Sequence, residues 1–100
     1  MKILEIVAES RFALVDDNED NHEVGEMTWV DRGEYFIINH TFVEPEYNGH
    51  GYAGQLVKAG VEKARREKRI IVPTYPFALH KFFVTAEYAD VWQKEENEKI

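Results

Sequence analysis

Cysteine is absent from this 100-residue chain. No disulfide, thiolate nucleophile or zinc–thiolate site can form, and the composition fits a reducing cytosol, so a cytoplasmic location is expected. No apolar run approaches the roughly 20 residues that a membrane-spanning helix needs. Met1 to Ala8 turns acidic by Glu5 and does not read as a secretory signal. Positive charge is in the minority, with 12 Lys and Arg against 19 Asp and Glu and a formal charge of -7. That balance disfavours a nucleic-acid backbone and favours a cationic partner such as an amine. The acidic run Asp16 to Asn21 hints at calcium. However, Asn21 stands where the turn glycine of such a loop belongs, and Met27 stands where the bidentate glutamate belongs. It reads as a solvated hairpin loop, and no metal site is expected.

What is present is a core-forming composition: 44% hydrophobic residues, with 6 Phe, 5 Tyr and 2 Trp as large packing groups. The length suits one domain over residues 1–100, whose charged end, 93–100, is expected to fray. The first half reads as strands. Arg11 to Val15 is short and apolar, His22 to Val30 alternates loosely, and Tyr35 to Val43 is the strongest β-former. Short loops between them predict antiparallel hairpins. Lys2 to Ala8 fits a strand or one helical turn. Strict alternation along Tyr35 to Val43 puts His40 on the face of Phe36, Ile38 and Phe42.

The second half changes period. Ala53, Leu56, Val57, Gly60, Val61 and Ala64 recur at helical spacing, with Gln55, Lys58, Glu62, Lys63 and Arg66 on the other face. Glu62 and Arg66 are spaced to pair along the helix, and the basic stretch Lys63 to Arg69 complements its negative end. Ile70 to Val72 is a short buried-type strand ended by Pro73, parallel to Tyr35–Val43 if a helix crosses between them. Pro76 can open a second helix, about Phe77 to Thr85, with Phe77, Phe82, Phe83 and Tyr88 as core packing. The expected fold class is therefore α/β (α+β): a mostly antiparallel sheet with one parallel β-α-β crossover and two helices.

Between the strongest strand and the first helix lies Asn48-Gly49-His50-Gly51-Tyr52-Ala53-Gly54. Glycines let the backbone approach a ligand closely, and the unpaired N–H groups of the helix start favour an anion. A plain helix-capping turn would need fewer glycines. Gly49-x-Gly51-x-x-Gly54 spells the dinucleotide fingerprint, but the next strand ends in Pro73-Thr74-Tyr75 rather than an acidic residue. No Gly-Lys-Ser/Thr follows, which excludes the ATP-binding loop.

The stretch Val43 to Ala53 resembles the acetyl-CoA-binding motif of the GCN5-related N-acetyltransferases, Arg/Gln-x-x-Gly-x-Gly/Ala, with Gly51 and Ala53 on its last two positions. His40-Thr41-Phe42-Val43-Glu44-Pro45, Tyr52-Ala53-Gly54 and Val72-Pro73-Thr74-Tyr75-Pro76 are similar to the small single-domain branch of that superfamily. Asn48 stands where the motif has Arg or Gln, so main-chain N–H groups are expected to carry most of the pyrophosphate contact. Tyr75 stands where close relatives have cysteine, so no thiol chemistry is expected there.

The resemblance implies a small acetyltransferase-like fold and direct transfer of acetyl from acetyl-CoA, as co-substrate, to a primary amine on a small molecule or a protein lysine. It implies pyrophosphate over Gly49 to Gly54 and pantetheine along Phe42 and Val43. His40 is the candidate base, or else a buried structural histidine. Tyr75 is the candidate acid, or an aromatic wall of the cleft. Glu44 and Glu46 are further possible bases. Lys58 and Lys81 could reach the coenzyme's remaining phosphate, or simply be solvated. The rival reading is a non-catalytic acyl-CoA-binding module.

Overall fold

A computed structural model describes residues 1–93. The elements run β1 (Lys2–Ile6), β2 (Arg11–Asp16), β3 (His22–Asp31), β4 (Tyr35–Val43), α1 (Tyr52–Glu67), β5 (Ile70–Pro73) and α2 (Pro76–Val84). Short 3-10 turns lie at Val7–Glu9, Pro45–Tyr47 and Ala86–Val91. The strands form one sheet in sequence order, antiparallel from β1 to β4, and β5 joins β4 in parallel. Lys2 to Ile6 is thus a strand. Pro76 opens α2 at the position where its missing N–H costs no helical bond.

α1 lies on one face of the sheet, and its buried stripe of Leu56, Val57, Gly60, Val61 and Ala64 meets Met27, Trp29, Phe36 and Ile38 in the core. Gly60 sets the closeness of that approach, because a Cβ there would lie 2.7 Å from Met27 Cε. Ala78 and Phe82 of α2 and Val91 complete the same core. Phe83, expected inside, is 62% exposed. Trp92 bridges to Ile71 and Gln93 N–H donates to the Ile71 carbonyl at 2.8 Å, so Gln93 is tied to the sheet rather than frayed. Residues 94–100 lie outside the described residues.

The polar face assigned to α1 needs one correction. Lys63 is buried, held by Glu5 at 2.6 Å and Glu67 at 2.7 Å, with its ammonium 4.8 Å from the Trp29 ring centre. A long apolar stem let this lysine cross from the helix to the β1 edge. Arg66 likewise reaches Glu5 at 2.7 Å instead of turning along the helix to Glu62. Arg65 holds Asp90, and Arg69 holds Asp31 and Glu67. The basic stretch therefore clamps the helix to three other parts of the chain, beyond complementing its C-terminal dipole.

The second correction concerns β4. Thr28 pairs with His40 but Trp29 pairs with Ile38, so Asn39 is an extra residue and forms a bulge. One inserted residue reverses the facing of everything after it. Thr41 therefore continues the buried face of Phe36 and Ile38, while Phe42 is 47% exposed. His40 shares the opposite face with Thr28, not the face of Phe36 and Ile38.

Candidate active site

β5 accompanies β4 only as far as the Ile38–Pro73 pair. Proline has no N–H to extend the ladder, and the chain then turns into α2. Thr74 and Tyr75 N–H both donate to the Ile38 carbonyl at 3.2 Å, which anchors the point of departure. Beyond it, β4 runs on from Asn39 to Val43 with β3 on one side and, on the other, an edge left free by the described residues. Glu44 N–H donates to Val24 on β3 at 2.8 Å, and a Cβ on Gly25 of β3 would meet the Phe42 carbonyl oxygen at 2.7 Å. Phe42 thus turns its main chain toward β3. Main-chain groups alternate sides along a strand, so Thr41 and Val43 present theirs to the free edge. Phe42, whose main chain the resemblance would put along the pantetheine, faces β3 instead, again because the bulge changed the phase.

At the end of this edge a cavity of about 280 Å³ is lined by Val43, Asn48, Gly49, Gly51, Tyr52, Ala53, Gly54 and Lys81, together with Tyr47 and Phe77. Gly49 and Gly51 have φ of 85° and 78°, the left-handed region that side chains avoid, and among the described residues no atom beyond their chain neighbours lies within 4 Å of where their Cβ would be. The first α1 hydrogen bond runs from Gln55 N–H to the Gly51 carbonyl at 3.1 Å, so the N–H groups of Tyr52, Ala53 and Gly54 precede it without a helical acceptor. Among the described residues no side chain caps this end. Lys81 comes from α2, its ammonium 5.6 Å from the Phe77 ring centre and 3.6 Å from a Cβ placed on Gly54. Free N–H donors, the positive helix end and one ammonium around an open glycine cradle fit a pyrophosphate.

Tyr47 was not singled out from sequence. Tyr47 donates its hydroxyl to Asp16 at 3.0 Å, and that bond holds its pKa above the ordinary phenol value. The bond ties the start of the glycine loop to β2, a link of 31 residues that no local pattern signals. Phe77, expected only as core packing, forms cavity wall. Lys58 lies outside this cavity, in a separate groove with Ile3, Glu5 and Phe12. His50 is exposed and stacks on Tyr52 with ring centres 5.5 Å apart, outside the cavity wall.

His40 and Tyr75 also lie outside that wall, yet the fold brings them together. Their rings meet edge-on, centres 5.9 Å apart, where β4 and β5 part. His40 is three residues before Val43, about 10 Å along the strand from the cradle. The His40 side chain is 44% exposed, so it is not a buried structural histidine. Glu26 on β3 approaches it at 3.6 Å. Glu44 instead faces His22, at 3.9 Å. Among the described residues no group of His, Asp and Glu is arranged to hold a metal ion, and no helix is long and apolar enough to cross a membrane.

A split parallel pair beside a helix-start cradle of this kind suits a ligand that carries phosphate, and sequence comparison names the family. The profile described as GCN5-related N-acetyl-transferase matches residues 11–91, and the chain belongs to that family. The solution structure of a GCN5-like N-acetyltransferase candidate from Staphylococcus aureus is 32% identical, with a TM-score of 0.73 over 95% of this chain and 90% of that one. A GNAT family acetyltransferase from Elizabethkingia anophelis, crystallised with acetyl-CoA bound, shares the fold at 18% identity and a TM-score of 0.58. That match covers 78% of this chain and 51% of the Elizabethkingia chain. No curated protein matches the sequence. By family the chain is an acetyltransferase with a small mixed α/β fold.

Proposed function

We propose that the chain, as one domain, transfers acetyl directly from acetyl-CoA to a primary amine, with His40 as base and Tyr75 as acid. The observation that carries this reading is the meeting of the His40 and Tyr75 rings, 5.9 Å apart, at the fork between β4 and β5. The N–H groups of Gly49 to Gly54 and the Lys81 ammonium hold the pyrophosphate. The free main-chain groups of Thr41 and Val43 align the pantetheine arm along β4, directing its thioester toward the fork.

The amine nitrogen must be neutral to attack, so a group must take its proton. His40 accepts that proton as the new C–N bond forms. The carbon–sulfur bond breaks, and Tyr75 delivers its phenolic proton to the departing thiolate. A tyrosine in this position replaces nothing covalent: it donates a proton and needs no acyl-enzyme stage. Uncovered sheet around His40, with Glu26 nearby, suits an exposed and cationic amine, of a small molecule or a protein lysine, better than an enclosed metabolite.

The test is steady-state release of coenzyme A from acetyl-CoA across a panel of primary amines, together with calorimetric titration of acetyl-CoA. Turnover should fall about 10²-fold or more in His40→Gln with binding unchanged. Tyr75→Phe should lower turnover about tenfold or more with acetyl-CoA binding unchanged. Binding without turnover on every amine would establish the non-catalytic module instead, and no binding at millimolar ligand would overturn the cofactor assignment.

A further inference from the structure

On the sheet face turned away from α1, three carboxylates surround one guanidinium. Arg11 on β2 contacts Glu9 at 2.7 Å and grips Glu23 through two bonds of 2.6 and 3.0 Å. These two carboxylates already satisfy the cation with close, charge-assisted geometry. Glu26 adds only a longer contact, 3.3 Å from Arg11 through Oε1. Its other oxygen, Oε2, lies 3.6 Å from His40 Nε2. Glu26 is therefore surplus to Arg11 and directed at the histidine.

The register explains how this happens. Glu26 opposes Phe42 and Thr28 opposes His40, so Glu26 and His40 are diagonal neighbours on one face of the β3–β4 pair. They share that face only because Asn39 is inserted between Ile38 and His40. In an unbulged β4, His40 would point toward the helices and Glu26 would face no histidine. The bulge that exposes His40 is the same feature that supplies its carboxylate.

We infer that Glu26 is a positioning residue for His40, with Arg11 fixing the orientation of the carboxylate. This rests on the role proposed above for His40. A carboxylate facing Nε2 favours the tautomer with its proton on that nitrogen, leaving Nδ1 with the lone pair that accepts the amine proton. It also stabilises the imidazolium that results. The charged and titratable groups facing His40 are Glu26 from β3 and Tyr75 from the segment after β5, with Arg11 of β2 behind Glu26. Removing the Glu26 charge leaves no other carboxylate contact on the ring among the described residues.

The experiment compares Glu26→Gln, Glu26→Asp, His40→Gln and the double variant Glu26→Gln/His40→Gln, by steady-state kinetics, thermal melting and acetyl-CoA titration. Glu26→Gln should lower kcat about tenfold, a part of the full contribution of the base, with the KM for acetyl-CoA unchanged. Glu26→Asp keeps the charge and should restore most of that kcat, whatever either variant does to melting. In the double variant the Glu26 change should add nothing to the loss caused by His40→Gln. An unchanged kcat in Glu26→Gln, or an equal loss in Glu26→Asp, with His40→Gln impaired, would overturn this inference alone. A further loss in the double variant would also overturn it, since Glu26 would then act apart from His40. Full turnover in His40→Gln would overturn the proposed base and the inference with it.

Discussion

Two glycines three residues apart should respond in opposite directions to the same added methyl. Gly51 sits at φ 78° as the residue before α1, and Gly54 sits within the first turn. Gly51→Ala meets no atom within 4 Å, so any cost is in the backbone alone. Holding an L-residue in the left-handed region costs roughly 1–2 kcal/mol, a fall in Tm of roughly 5–15 °C for a domain this size. Gly54→Ala gains helix propensity, up to about 1 kcal/mol, and its Cβ would meet Lys81 Cε at an ordinary 3.5 Å. Its Tm should hold or rise by a few degrees. Binding separates the pair again. If Gly51→Ala relaxes its φ, the N–H groups after it tilt away from the anion, and loss of one charge-assisted bond weakens acetyl-CoA about tenfold or more. Gly54→Ala only nudges a flexible lysine tip, so affinity should change about threefold at most. Differential scanning fluorimetry with and without acetyl-CoA reads both effects. The reasoning is refuted if Gly51→Ala melts at or above the parent, or if Gly54→Ala melts below Gly51→Ala.

Three further outcomes follow from the packing. Lys63→Met should cost about 1–2 kcal/mol in urea unfolding, less than the roughly 3–5 of an orphaned buried charge, because Glu5 keeps Arg66 and Glu67 keeps Arg69. A loss beyond about 4 kcal/mol would mean that those carboxylates are not rescued. Burial alone would push the Lys63 ammonium down, but its bonds to Glu5 and Glu67 outweigh burial and raise it above its ordinary 10.5, while the Lys63 bond lowers the Glu67 carboxyl below its ordinary 4.5. The Glu67 contribution is therefore complete above about pH 4.5 and lost as pH falls through its lowered value, and that of Lys63 is complete below about pH 10.5 and lost as pH rises. Melting between pH 3 and 7 should fall less steeply in Lys63→Met than in the parent. Gly25→Ala should destabilise by roughly 1–3 kcal/mol, because its Cβ would press on the Phe42 carbonyl oxygen, a main-chain atom, at 2.7 Å. Gly60→Ala makes an equally short contact but with the tip of Met27, so a melting scan should find it the milder of the two.

The strands from Arg11 onward, both helices and the parallel crossover were legible because each is written in local pattern, whereas Lys2 to Ala8 fitted a strand or a helical turn equally. Apolar spacing at 53, 56, 57, 60, 61 and 64 can only be one helical face, and Pro73 and Pro76 punctuate the chain whatever surrounds them. The glycine loop was equally plain, since left-handed backbone at 49 and 51 selects glycine by its own sterics.

What local pattern could not carry was which way the second half of β4 faces. A bulge exists only relative to a partner strand, and nothing in Ile37-Ile38-Asn39-His40-Thr41 marks Asn39 as the inserted residue. That single insertion turned His40 out of the core, replaced Phe42 by Thr41 at the free edge, and set Glu26 beside the imidazole. Lys63 and Tyr47 teach the same point. Glu5 and Asp16, which tie Lys63 and Tyr47 to other strands, are 58 and 31 residues away, so neither the burial of the lysine nor the clamp on the tyrosine shows in local pattern. The glycine loop is legible from its glycines and from the family motif it resembles, whereas the proposed proton-transfer geometry belongs to the pairing of β3, β4 and β5.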